Sequence, residues 1–407
     1  MPMRATLRGV MSGRVLENSA FRSYWLVGLV SNFGWLIQMV GASWLMLSLG
    51  GSATMVALVQ TALALPVMLF SLPAGAMADA FGRRTLVLWA QGFLAVVIAV
   101  LVTFSGAGWL SPWSLLLFTF LVGAGRATSN PAWQTRVSEL VPREHLGGAI
   151  ALNSISFNLA RSLGPALGGL VVALLGAFAA FATTFVSSLL VLTYARRWNQ
   201  QEPRELVARE PLFAAMRTGL RYVLTTPETR RILSLTLLFN SAGISTMALL
   251  PLIAHQGLGG SVRLYGVLLG AFGLGAIVGA MALGPLRRAR SRDRIVPLAI
   301  GLATIGTLGL AAETNLIATV LSVALVGAGW VMTLSTFGSL IQIIAPRSVL
   351  SRSQAIYQSS VFGANALGSW LWGMIAERLG LQEALGLSGI ALAAVLLVAW
   401  FRPLKMI

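Results

Sequence analysis

The stretch Gly75-Ala76-Met77-Ala78-Asp79-Ala80-Phe81-Gly82-Arg83-Arg84 decides the fold, because most of it returns 204 residues later. Gly75-Ala76-Met77-Ala78 reappears as Gly279-Ala280-Met281-Ala282, and Arg83–Arg84 as Arg287–Arg288. At the same offset Leu121-Val122-Gly123-Ala124-Gly125 returns as Leu325-Val326-Gly327-Ala328-Gly329, and Pro142–Arg143 as Pro346–Arg347. Gly164, Gly169 and Gly176 map onto Gly368, Gly373 and Gly380. A single gapless offset over so many positions marks a duplicated chain. The expected division is 1–195, a linker over 196–230, and 231–407.

Between these landmarks the sequence is mostly apolar. Of the 407 residues 57% are hydrophobic and only 10% charged, against about 25% charged in an ordinary soluble domain. This balance excludes a disordered chain, a nucleic-acid-binding domain and a common soluble enzyme. A membrane-crossing helix needs about 20 apolar residues. Twelve such segments are expected: 21–48, 53–77, 85–105, 111–135, 147–174, 177–195, 231–254, 263–285, 295–312, 315–341, 350–378 and 383–401. The polar, basic first 20 residues read as a cytoplasmic lead into the first helix rather than a cleavable signal.

The net charge of +17 is a matter of topology. With both termini cytoplasmic, 25 of the 29 Arg and Lys residues fall on the inner side, two outside and two, Arg126 and Arg161, within helices. The linker carries an amphipathic pattern over 211–224, suited to the inner membrane surface or to packing as a linker helix. Trp25, Trp109, Trp113, Trp198 and Trp400 sit near span ends and read as interface anchors. With no cysteine and only His145 and His255 as histidines, neither a metal centre nor another cofactor is expected.

The opening stretch has a physical reading of its own. Gly75 lets two helices approach, Gly82 permits a tight turn, Asp79 can pair with an Arg or cap a helix, and Arg83 and Arg84 hold the loop on the inner side. It closely resembles the G-x-L-A-D-R-x-G-R-R loop of the major facilitator superfamily, with Met77 and Ala80 as departures. The second copy has Leu283 in place of the acid. The resemblance implies an all-α fold of twelve transmembrane helices in two pseudo-symmetric six-helix halves. It also implies an inner gate latch at Asp79 and Arg83, with Arg136 and Glu139 as partners.

Helix 5 carries Gly164-Pro165-Ala166-Leu167-Gly168-Gly169, a smooth face for helix packing. It is similar to the G-P-x-x-G-G signature of the superfamily's antiporters, with Ala151 and Ala160 where earlier glycines stand. Phe21-Arg22-Ser23-Tyr24-Trp25, Asn130-Pro131-Ala132-Trp133-Gln134, Val141-Pro142-Arg143-Glu144 and the Asn153-to-Gly169 block resemble the enterobactin-exporter-like, or transmembrane secretion effector, branch. The likeness covers essentially the whole chain, best over 20–190.

Polar groups inside the helices are the cavity candidates. Arg161 lies about 20 Å along helix 5 at 1.5 Å per residue, and Arg126 is similarly central in helix 4. A charge at that depth costs about 2.5–3.5 kcal/mol on insertion scales and marks function by default. All twelve acids lie at or beyond helix ends, so the cavity is expected to be electropositive and suited to anionic or acceptor-rich substrates. The competing reading ties each Arg to backbone carbonyls between helices. Asn32, Gln38, Gln60, Asn158, Asn240, Tyr357, Gln358 and Asn365 are neutral candidates for substrate contact or interhelical bonding, and Asn365 maps onto Arg161. Trp330 stands where the first half has Arg126.

The expectation is a secondary active exporter of small organic molecules in a bacterial inner membrane, siderophore or drug-like and open to anions. The lipid bilayer is its surround, nucleic acid is not a partner, and the chain works as a monomer. An importer on the same fold is the alternative. A membrane-embedded enzyme lacks a nucleophile–base or metal cluster to rest on. Coupling stays open, since helix 1 (21–48) contains no acid.

Overall fold

The computed structural model describes residues 14–142, 144–198, 220–257, 260–289, 292–312, 315–346 and 349–401. They are almost wholly helical, with no strand among them. The long helices are α1 (Ser19–Ser48), α2 (Ala53–Phe81), α3 (Arg83–Gly106) and α4 (Pro112–Thr135). Leu146–Arg196 is one run that breaks at Gly176 into α5 and α6. Next comes α7 (Pro227–Gly243), which continues through Ser245–Leu252 and a π-turn at Ile253–Gly257. The remainder are α8 (Val262–Ala289), α9 (Arg292–Ala312), α10 (Leu316–Ile344), α11 (Leu350–Leu379) and α12 (Leu381–Phe401).

These follow the expected spans to within a few residues. Among the described residues nine helices are long and apolar enough to cross a membrane, Leu146–Arg196 being taken as one. The helices α4 and α11 match them in length but are more polar. Of the linker, 199–219 lies outside the described residues and takes most of the amphipathic pattern with it. Past it, Val223 is fully buried and the Tyr222 hydroxyl donates to the Ile344 carbonyl.

Local chemistry sets the helix ends. Asn18 accepts from the Ala20 and Phe21 amides and starts α1, while its amide donates to the Leu140 carbonyl. Ser111 and Ser114 form a reciprocal capping box ahead of Pro112 at the head of α4. Asn315 accepts from the Ile317 amide and starts α10. Three joints need no loop at all: Gly82 joins α2 to α3, and the other two are related by the repeat. Gly176 (φ 77°) links α5 to α6, and Gly380 (φ 112°), its partner at the 204 offset, links α11 to α12. A positive φ reverses the chain there without a Cβ clash.

The chain divides into two compact units. The first comprises residues up to Ala42 and Phe70–Glu202. Within it α1 lies in a groove of α4, α5 and α6. A Cβ on Gly164 would come within 3.0 Å of Leu36, one on Gly168 within 3.0 Å of Val40, and one on Gly41 within 2.8 Å of Ala180. The Thr184 hydroxyl donates to the Gly34 carbonyl and closes the α1–α6 seam.

The second unit takes in Ser43–Leu69 and Pro203–Ile407. Its α11 packs on α7 as α5 packs on α1: a Cβ on Gly368 would lie 2.5 Å from the Ser241 carbonyl oxygen, and the Trp372 indole donates to that carbonyl. Backbone meets backbone between α8 and α10, where Gly275 and Gly279 face Ala324 and Ala328. The start of α2 is fastened to α11. Glu377 Oε2 accepts from the Ser52 hydroxyl and the Thr54 amide, and Thr61 donates to the Ala366 carbonyl. Near the end of α1, Trp44 stacks on Tyr265 and meets His255 edge-on.

Candidate functional site

The chain turns from α2 into α3 at Gly82 (φ 88°), and a charged cluster gathers beside that turn. Arg83 Nη1 donates to Glu139 Oε1, and Arg136 Nη1 donates to the other oxygen of the same carboxylate. Arg136 also lies over the Trp198 ring, 4.3 Å from its centroid. Arg84 sits at the end of α6, donating from Nε to the Ala195 carbonyl and from Nη2 to that of Arg196. A cation there satisfies two orphan carbonyls and meets the negative helix end. Arg83, Arg84, Arg136 and Glu139, expected together, are thus brought together. Gly75 and Asp79 lie on α2, but their side-chain surroundings fall outside the described residues. Both ion pairs are part-exposed, so each contributes no more than about 1 kcal/mol to stability.

Trp198 departs from its expected role as an interface anchor. It is only 5% exposed and packs with Ala78, Leu86, Ala132 and Val191. The guanidinium above it explains why a span-end indole turned inward. Trp109, Trp113 and Trp400 are 67–69% exposed, as anchors should be.

In α5 the chain stays helical through Pro165. Gly164, Pro165, Gly168 and Gly169 are buried, with Gly164 and Gly168 turned toward α1. The signature is therefore a seam within the first unit.

The two arginines inside helices differ. Arg126 on α4 has its guanidinium carbon 4.9 Å from the Trp35 ring centroid. Its Nη1 makes long, 3.4 Å contacts to the carbonyl and hydroxyl of Ser31. Arg161 is half-buried and has neither a hydrogen bond nor an ion pair among the described residues.

The neutral candidates separate in the same way. The Tyr357 hydroxyl is spent on the Leu334 carbonyl, a tie between α11 and α10. Asn240 is fully buried, donates to Thr236 within its own helix and leaves Oδ1 without a partner among the described residues. Gln38 Oε1 and Asn365 Oδ1 are also buried without partners, while Asn32 is half-buried. The side chain of Asn158 lies outside the described residues. Trp330 packs on Phe239 and Gly243 in the second unit. The sequence reading missed Trp35, Ser31 and Glu377. For Trp35 a signal existed, because Phe239 is its partner at the 204 offset as Trp330 is that of Arg126.

A helical bundle with apolar crossing helices, an Arg-lined helix turn and buried polar groups defines a multi-pass membrane transporter with the major facilitator fold. Likeness to solved structures agrees. A bacterial homolog of the human lysosomal transporter Spinster, inward-facing and unoccupied, superposes with a TM-score of 0.74 over 94% of this chain and 96% of that one, at 14% identity. The chain belongs to the transmembrane secretion effector family, which matches residues 14–407. It is similar to the multidrug efflux pump Tap of Mycolicibacterium fortuitum, 25% identical over 90% of this chain and 91% of that protein. It is also similar to the staphyloferrin A transporter of Staphylococcus aureus, 23% identical over 91% and 94%.

Proposed function

We propose that the chain is a secondary active exporter of small organic molecules, siderophore-like or drug-like, working by alternating access as a monomer. Family membership supports the transporter class, the name of one relative, a multidrug efflux pump, supports export, and that of the other, a staphyloferrin A transporter, supports a siderophore-like substrate. The observation that carries a substrate site is Arg161. A half-buried guanidinium midway along α5 without a partner among the described residues is costly unless something else meets it. The Arg-rich turns, with Arg83, Arg84 and Arg136, face the cytoplasm, and Asp79 belongs to their latch.

The test is uptake into inside-out vesicles. Accumulation should be saturable, should need an ion gradient and should be lost in Arg161→Ala at normal expression. Accumulation confined to right-side-out vesicles would establish an importer instead. A lowered melting temperature for Arg161→Ala with unchanged affinity for every anion would make Arg161 a structural tie. Labelling of a cysteine introduced at Glu205 from outside intact cells would reverse the topology.

A further inference from the structure

The geometry points to Arg126 as a preset fork for a bidentate oxyanion, a carboxylate or a pair of adjacent aryl oxygens. This rests on the transporter reading above. Three observations converge on it.

The first is what holds the guanidinium. Its carbon lies over the Trp35 ring, 4.9 Å from the centroid, and Ser31, one turn earlier on α1, meets Nη1 with its carbonyl and hydroxyl at 3.4 Å. The guanidinium carbon and one corner are thus positioned by a single helix before any ligand arrives. Little side-chain freedom remains to be lost on binding.

The second is what is left over. In an arginine side chain Nη1 lies on the Cδ side, so Nε and Nη2 form the opposite edge. That edge carries two parallel N–H donors at the spacing of two oxygens on one carbon or on neighbouring ring carbons. Neither Nε nor Nη2 donates to any group among the described residues, and the side chain is only half-buried. Among the described residues no acid competes for the edge. The ion pairs among the described residues both use Glu139, at the end of the bundle. A purely structural arginine would be expected to spend this edge on carbonyls, as Arg84 spends its Nε and Nη2 on Ala195 and Arg196.

The third is the second copy. At the positions equivalent to Trp35 and Arg126 stand Phe239 and Trp330, with ring centroids 5.5 Å apart. The fold can therefore fill this place between two helices with an uncharged aromatic pair. The cation in the first unit is not needed to build the helix crossing.

Binding to the purified full chain and transport in inside-out vesicles are to be measured side by side. The anionic probes are citrate and 2,3-dihydroxybenzoate, and ethidium serves as the cation control. The wild type should show a saturable rise in melting temperature with each anion. Arg126→Lys should weaken anion binding by about tenfold or more, because the charge remains while the fork is lost. Ethidium transport should stay within about twofold of wild type, since the fork donates only to acceptors. Trp35→Leu, which leaves the arginine intact, should weaken the anions several-fold, and it decides the matter if Arg126→Lys fails to reach the membrane.

Equal anion affinity in wild type and Arg126→Lys would overturn the proposal, as would a wild type that binds neither anion at millimolar concentration. Anion binding lost in Arg126→Lys, in a wild type that moves none of the three probes, would uphold the fork. That result would count against the exporter reading alone.

Discussion

Trp35 with Arg126 in the first unit, and Phe239 with Trp330 in the second, occupy equivalent places 204 residues apart. Both pairs join the first helix of their half to its fourth and keep an aromatic ring on the first. What differs is the group it meets, a guanidinium at 4.9 Å in one and an indole at 5.5 Å in the other. The turns after α2 and α8 repeat the lesson. Arg83 meets the carboxylate of Glu139, whereas Arg287 meets the Ser335 carbonyl and the Ser339 hydroxyl, and Ile343 stands at the place of Glu139. Duplication supplied a common framework of small residues and turns. The cation within the helices and the acid beside the turn were then placed, or kept, on one side only. The departures from symmetry, rather than the repeat, are where chemistry should be sought.

The comparison breaks most severely if charge is forced into the neutral copy. Trp330→Arg should destabilise the protein by about 3–5 kcal/mol, from the lost ring and a cation lacking acceptors beside Phe239 and Gly243. Its melting temperature in detergent should fall sharply. Arg126→Trp should fall by much less, because Trp35 can pack against a ring as Phe239 does. Equal losses would mean that the two places are not equivalent.

The glycine seams come next. A methyl group on Gly368 would lie 2.5 Å from the Ser241 carbonyl oxygen, while one on Gly164 would come no nearer than 3.0 Å, to Leu36 Cβ, and needs a shift of only a few tenths of an ångström. Gly368→Ala should therefore cost about 3 kcal/mol and Gly164→Ala about 1 kcal/mol, read from denaturation midpoints. The reverse order would show that α1 and α5 form the stiffer seam.

Smaller effects belong to the turns. Glu139→Gln removes the acid shared by Arg83 and Arg136 and should cost no more than about 2 kcal/mol for the two pairs together, shrinking further in molar salt. Transport should suffer more than stability if the cluster is part of the gate, and unchanged transport would mark it as a topological anchor. Smallest of all, Ile343→Glu should offer Arg287 an acid where the repeat predicts one, with a gain of a few tenths of a kcal/mol. A loss there would show that the second turn is shaped for neutral acceptors.

The helices were legible because apolar runs of crossing length, cut by Gly, Pro and Arg, leave few other structures open. The repeat gave the matching glycine seams and the paired joints at Gly176 and Gly380. The likeness of the Gly75-to-Arg84 loop to the superfamily's pointed to the Arg83, Arg136 and Glu139 cluster, although Arg83 and Glu139 stand 56 residues apart. Facing direction was not legible. Within a span that is apolar all round, no stripe reveals which side meets a neighbour. Trp198 could thus look like an anchor and Tyr357 like a cavity residue, although one lies under Arg136 and the other is bonded to Leu334. Glu377 escaped notice for a related reason. Its role as a cap for the start of α2 joins residues 323 and 325 positions apart, a distance that no local pattern spans.

The joints at Gly176 and Gly380 bear on how such a chain can change over generations. Most helix turns offer slack, so extra residues can be added or lost with little harm. Here α5 runs into α6, and α11 into α12, through one residue whose φ only glycine adopts freely. Each pair is reined in at zero slack, so an added residue would rotate the second helix by about 100° on its axis and turn its lipid face inward. Random insertion along the gene should accordingly leave two silent gaps at these points.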